Sequence, residues 1–374
     1  MALRKPFFTF GSKFMQNKTA QYLQLALILG AGVIGAMAAQ WLGLPIPYLL
    51  GSMSASAIVS LTTYSRSGEK LWFPLQLRHV FIAVIGIMIG TTFSPEALKT
   101  APILAITLCA MMLFVCAAQI LNFGIFHHIG GYDRVTAKYA AMPGGLIEAV
   151  TLGEKADGDV ETMSIQHFVR IVLVIMFVPT LFQIFSGETV GSAASQTLES
   201  SPSDWTDWLF CAVFAPVGIW LGARLKLPAS HLMGPLLLTA LLHAVMAVDI
   251  QGPSALLNLA QLIVGAGLGV NFARSTLCHL LSAFALGFLS VSTTLIMASG
   301  FAYLLASVVP MSFTALLISF APGGVTEMSL VALSLGVAPV LVTTHHLFRI
   351  IFTVTIAGIL TARSERLGKG NPGS

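Results

Sequence analysis

Pro143-Gly144-Gly145-Leu146-Ile147-Glu148 and Pro322-Gly323-Gly324-Val325-Thr326-Glu327 are one pattern met twice, 179 residues apart. Nineteen residues after each glutamate stands a histidine, His167 and His346. Three residues further on come Arg170 and Arg349, each followed by isoleucine. The same offset joins Gly86 to Gly265, Gly90 to Gly269 and Phe93 to Phe272. Upstream, Leu44-Pro45 and Gly51 match Leu227-Pro228 and Gly234 at an offset of 183. The difference falls in the polar loop near 64–72, where an insertion is cheap. Chance could supply one Pro-Gly-Gly pair. A gapless constellation of Pro, Gly, Gly, Glu, His and Arg marks a duplication.

The chain around these motifs is made for lipid. Of its 374 residues, 56% are hydrophobic and only 9% are charged, with a net charge of +4. A soluble domain carries about 25% charged residues, so a water-exposed surface cannot be built from this composition. Nor is there the clustered basic face that a nucleic-acid partner requires. Cys109, Cys116, Cys211 and Cys278 all lie in apolar runs and read as small membrane-buried thiols. Apolar runs near 21–41, 46–62, 79–94, 101–125, 163–185, 206–223, 229–248, 255–272, 277–306 and 338–361 approach the length that a transmembrane helix needs. The fold class is an all-α polytopic membrane protein. Two further runs, 134–152 and 311–333, hold the Pro-Gly-Gly motifs.

Charge orients the two halves, 21–186 and 206–362. Cytoplasmic loops collect Lys and Arg. Residues 1–20 hold Arg4, Lys5, Lys13 and Lys18, and the tail 363–374 holds Arg363, Arg366 and Lys369, which puts both termini on the cytoplasmic side. The Ser-rich segment 187–205 has no Lys or Arg and reads as an external linker. Arg66, Lys70 and Arg78 mark a cytoplasmic loop in the first half, and Arg224 with Lys226 marks one in the second at a non-corresponding place. Corresponding loops therefore sit on opposite sides. That is the signature of two inverted repeats, each with about five transmembrane helices. The Pro-Gly-Gly run is then the one that does not cross simply. Proline and paired glycines break helical hydrogen bonding, so it reads as a re-entrant hairpin or a broken helix.

Interrupted segments at matching places in inverted halves point to a binding site. The candidate residues are Pro143, Gly144, Gly145, Glu148, His167 and Arg170, with Pro322, Gly323, Gly324, Glu327, His346 and Arg349. The breaks free backbone groups, and a half-helix starting after each offers its positive end to an anion. Two carboxylates at membrane depth are costly and therefore functional candidates. Each glutamate reads as a proton carrier or sodium ligand, against the plainer role of an N-terminal cap. Each arginine reads as an ion-pair partner or a carboxylate clamp, against a snorkelling role. No metal or cofactor is expected beyond H+ or Na+ as coupling ion, since adjacent histidines do not share a helix face. Gly86 with Gly90, and Gly265 with Gly269, read as close-packing pairs.

The duplicated PGG-x-x-E, the L-x-P…G segment and the H-x-x-R-I tail resemble the membrane AbrB family, which shares only its name with the soluble DNA-binding AbrB. The resemblance covers about 21–362. Members of that family carry the labels ammonia monooxygenase and regulator of gene expression. The resemblance implies kinship with elevator transporters that cross broken helices near the bilayer midplane, in the bacterial inner membrane, and with a homodimer as one arrangement. The expectation is a secondary transporter of a small, anionic organic solute, not an enzyme, with membrane lipid as its other partner. A membrane sensor that alters gene expression is the alternative. The acidic stretch Gly153–Glu161 has no counterpart in the second half, so the halves need not do identical work.

Overall fold

In the computed structural model, residues 18–93, 101–186, 205–246, 253–271 and 277–369 are described. The linker 187–204, the basic residues before Lys18 and Phe272 lie outside them, and so do their assignments above. The described chain is helical, in the order α1 (Lys18–Trp41), α2 (Pro47–Ser67), α3 (Leu75–Thr91), α4 (Ala101–Gly124, running into a π-turn at Ile125–Ile129), α5 (Arg134–Ala140), α6 (Leu146–Lys155) and α7 (Val160–Ser186). Seven more follow in the same order of long and short: α8 (Trp205–Arg224), α9 (Ser230–Met246), α10 (Ser254–Gly269), α11 (Leu277–Ala306), α12 (Phe313–Phe320), α13 (Val325–Ser334) and α14 (Pro339–Lys369).

Proline punctuates these elements where its missing N–H costs nothing. Pro47 opens α2, Pro74 and Pro253 stand at the N-caps of α3 and α10, and Pro339 opens α14. The short helices rely on side-chain caps. Asp133 accepts from the backbone N–H groups of Val135 and Thr136 to start α5, and Ser312 accepts from Ala315 to start α12. Those bonds, led by Thr136, hold the Asp133 carboxyl below its ordinary range.

Six helices are long and apolar enough to cross a membrane: α1, α4, α7, α8, α11 and α14. They are the first, fourth and last of each seven. The protein is thus a multi-pass, all-α membrane protein. The third helix of each half is shorter, with 17 residues in α3 and 16 in α10, or about 25 Å at 1.5 Å per residue.

Packing divides the helices into two groups. The first three of each half contact one another: α1 with α2 and α10, α2 with α10, α3 with α8, α9 and α10, and α8 with α9. The last four of each half form a second group, with α4 against α11 and α14, α7 against α11, α5 and α6, and α12 and α13 against α14. Between the groups the substantial contacts are those of α3 with α13 and α14. Partners are exchanged between the halves: α2 meets α10 as α3 meets α9, and α4 meets α14 as α7 meets α11.

Glycine explains the first group residue by residue. A Cβ on Gly265 would lie 2.5 Å from the Leu49 carbonyl oxygen, and one on Gly86 would strike that of Leu232, which is Leu49 shifted by 183. Gly269 meets Met53 as Gly90 meets Leu236. Gly35 and Gly51 face each other between α1 and α2, and their equivalents Gly218 and Gly234 lie together between α8 and α9. Small residues let membrane helices approach this closely. In the second group the join is polar. Asn122 on α4 donates to Thr294 on α11 (3.1 Å) and accepts from Ser290 (2.6 Å), all buried.

Gly90→Ala should therefore lower stability by about 1–3 kcal/mol, because its Cβ would stand 2.6 Å from the Leu236 oxygen. Gly30→Ala on α1, with nothing within 4 Å of the added atom, should leave it unchanged or slightly raised. Thermal unfolding in detergent measures the difference.

Candidate functional site

Both Pro-Gly-Gly motifs break a helix, leaving α5 and α12 as stubs before the break and α6 and α13 after it. A broken helix leaves carbonyl oxygens without donors, and in lipid no water takes their place. His167 and Arg170, one turn apart on α7, supply the missing donors to the first break. The Arg170 guanidinium donates to the Met142 oxygen at 2.5 Å, and His167 Nε2 lies 3.0 Å from the Tyr139 oxygen. The second break repeats this on α14. Arg349 donates to the oxygens of Ala321, at 2.5 Å, and Gly323, and His346 Nε2 lies 3.0 Å from the Ile318 oxygen. All four side chains are buried, Arg349 completely.

The arginines are thus neither snorkelling nor paired with the glutamates. They brace the ends of α5 and α12, where the negative end of a helix favours a cation. The Nε atom of each guanidinium has no partner among the described residues. Each break also packs against the other half's last helix. A Cβ on Gly144 would lie 3.3 Å from Ile350 on α14, and one on Gly323 would lie 3.3 Å from Val174 on α7.

The glutamates differ. Glu327 is buried, 5% exposed, and its carboxylate lies 3.5 Å from the Arg78 guanidinium on α3. Glu148 is exposed, so the expectation of two carboxylates in apolar surroundings holds for one. The glycine before each half-helix differs as well. Gly145 has φ 69° and ψ 67°, in the left-handed region, whereas Gly324 has φ −77° and ψ 155°, which is extended. Glycine admits both conformations at little cost, so one sequence pattern is compatible with both. Neither half-helix has a side-chain cap hydrogen bond at its glycine. Each glutamate folds back over its own glycine instead: a Cβ on Gly145 would lie 3.0 Å from a Glu148 carboxylate oxygen, and one on Gly324 would strike that of Glu327.

Arg78 is the residue that sequence reasoning misassigned. It is not a loop charge but sits in the first turn of α3, facing α13 across the boundary between the two helix groups. Its equivalent at the repeat offset is Leu257, so duplication could not flag it. The available signal was an arginine four residues past Pro74, at the head of the apolar run Val80–Gly90. His345, next to His346, is taken up otherwise: its ring lies 2.9 Å from both the Leu341 oxygen and the Thr107 hydroxyl.

Arg349→Met should take the guanidinium donor from the buried Gly323 carbonyl and leave the Ala321 carbonyl with only the Gly323 N–H, at about 1–3 kcal/mol for the unpaired oxygen, and should destabilise more than Arg78→Met. Arg349→Lys should rescue only part of the loss, since one ammonium cannot reproduce the guanidinium fork. Melting temperatures of the three variants rank them.

Comparison with known proteins agrees with the motif reading. The family described as "Transition state regulatory protein AbrB" matches residues 63–364. A protein of Escherichia coli (strain K12) named "Putative regulator AbrB" is 22% identical over 339 residues, covering 91% of this chain and 94% of its own. A Bacillus subtilis (strain 168) protein, "Uncharacterized protein YhjN", is 23% identical over 288 residues, covering 73% and 74%.

Proposed function

The chain belongs to the AbrB family, and we propose that it is a secondary active transporter of a small, anionic organic solute, coupled to H+ or Na+. The observation that carries this reading is the division of the helices into two groups, with both broken helices in one of them. One group would serve as scaffold and the other as carrier, moving as an elevator with the solute held at the Pro-Gly-Gly breaks. Two halves with the same sequence pattern but different glycine conformations fit alternating access: a carrier exchanges the conformations of its repeats as it changes sides. In this reading the repeats are inverted, both termini face the cytoplasm and the membrane is the bacterial inner membrane.

Charge supports an anion. Arg78, Arg170 and Arg349 converge on the breaks and their seam with α3, against the one buried carboxylate of Glu327. The N-termini of α6 and α13 add partial positive charge at the same place. Glu327, held by Arg78 across the seam, would lock the carrier to the scaffold. Exposed Glu148 would be free to take a proton or a sodium ion. The two glutamates would exchange these conditions over a transport cycle.

The printed name of the Escherichia coli relative favours a second reading, a membrane protein that regulates gene expression. A transporter of an inducer would have the same consequence, because moving the inducer changes transcription without a soluble output domain.

The deciding experiment is solid-supported-membrane electrophysiology on reconstituted protein. A panel of small organic anions, amino acids included, is applied at two pH values with and without sodium. Wild type should give a solute-evoked current, and Glu148→Gln and Glu327→Gln should abolish it while melting like wild type. Full currents at every pH in both variants would remove the carboxylates from coupling. Solute binding without any flux, charged or radiolabelled, would favour the sensor.

A further inference from the structure

Two crevices lie at matching places on the second helix group. The first has a volume of about 440 Å³ and lies between α4, α5 and α14, where Cys116, Ile120, Lys138, Met142, Thr353 and Ala357 are among its walls. The second, about 510 Å³, lies between α7, α11 and α12. The repeat offset relates them. It carries Cys116 to Leu295, Ile120 to Ser299 and Lys138 to Leu317, and Ala357 corresponds to Val178. Each of these residues lines its own crevice.

The crevices differ in charge. Gln119, Lys138 and Thr353 are the polar residues of the first, and Ser299 and Thr314 those of the second, so only the first holds a cation. Lys138, which is replaced by Leu317 at the matching position, stands in a mainly apolar wall, with no carboxylate within ion-pair distance among the described residues. Its ammonium lies 5.1 Å from the centre of the Tyr139 ring. Thr353 is 6% exposed, and its hydroxyl has no partner among the described residues. An ammonium and a lone hydroxyl at an apolar wall are costly unless something pairs with them. A cation beside a hydroxyl with no partner, in a mainly apolar crevice, is the mark of a ligand that is apolar along its length and anionic at its end.

We propose that the first crevice binds one anionic phospholipid, with an acyl chain along α4 and α14 and its phosphate on Lys138. The Thr353 hydroxyl donates to an oxygen of the same lipid. Met142, in the wall, is the residue before Pro143, and its carbonyl is the one that Arg170 holds. A seated lipid therefore touches the first break directly and restrains it, while the second break has no equivalent. The membrane itself supplies this ligand, and the proposal stands apart from whether the protein transports a solute.

The test uses the purified full chain in nanodiscs containing phosphatidylglycerol with a photoreactive diazirine on its acyl chain. Adducts are mapped by mass spectrometry and competed with unlabelled phosphatidylglycerol or phosphatidylcholine. Adducts should concentrate on 115–123 and 352–357. Phosphatidylglycerol should compete about five-fold better than phosphatidylcholine, the factor that one lysine near an anionic headgroup supplies. Lys138→Gln should erase that preference and Lys138→Arg should keep it. Should Lys138→Gln not fold, Thr353→Val, which installs the residue found at the matching position, should reduce adducts on 352–357. Equal competition by the two lipids in wild type overturns the proposal. So do adducts spread evenly over the exposed faces of α1 and α8.

Discussion

Everything in the second helix group depends on satisfying the backbone that Pro-Gly-Gly sets free. A helix interrupted inside a bilayer exposes carbonyl oxygens that water cannot reach, each worth several kcal/mol if left unpaired. Four side chains answer this need, two per half, from the helix that follows each break. The cost of carrying two arginines into the interior is offset by the carbonyls they meet. Neither component is stable without the other, which is why His-x-x-Arg recurs at a fixed distance from Pro-Gly-Gly. The motif is a single device spread over more than twenty residues.

The device has a consequence for motion. The breaks are held by α7 and α14, and those helices belong to the same group as the broken segments. The bracing therefore moves with the breaks and need not be undone if the group shifts as a body. Across the boundary the polar contacts are few. Arg78 with Glu327 is a single contact at 3.5 Å, with the two side chains 21% and 6% exposed. Gln261 on α10 reaches Ser334 at only 3.5 Å. Close glycine packing in one group and polar bonding in the other, with few polar contacts between them, is a distribution that suits rigid-body movement.

Much of this was legible in the sequence because duplication repeats what is indispensable. Pro143 to Glu148, His167 and Arg170 were found by their echo in the second half, and Gly86, Gly90, Gly265 and Gly269 by their spacing. What the echo could not show is asymmetry. Arg78 has Leu257 as its counterpart, so it looked like one more basic residue near a loop. Glu148 and Glu327 looked alike because glycine carries no record of which backbone conformation it adopts. The arginines read as ion-pair partners or carboxylate clamps, so their partners were sought among carboxylates. Backbone carbonyls, which every sequence contains, leave no trace in side-chain patterns.

Asymmetry is where a duplicated protein acquires a direction. Two identical halves related by a two-fold axis would give identical energies to a conformation and its mirror state. Every unpaired difference biases that balance. Arg78 stabilises the state in which Glu327 is buried, and nothing equivalent at Leu257 stabilises burial of Glu148. Lys138 puts a cation in one crevice, and the other has none in its lining. A bias of 1.4 kcal/mol already sets a tenfold population ratio. One partly exposed ion pair, together with one lysine on a lipid phosphate, reaches that order. In the proposed transport cycle, the shared plan of the two halves would make two states possible, and the few residues that break the plan would decide which of them is occupied.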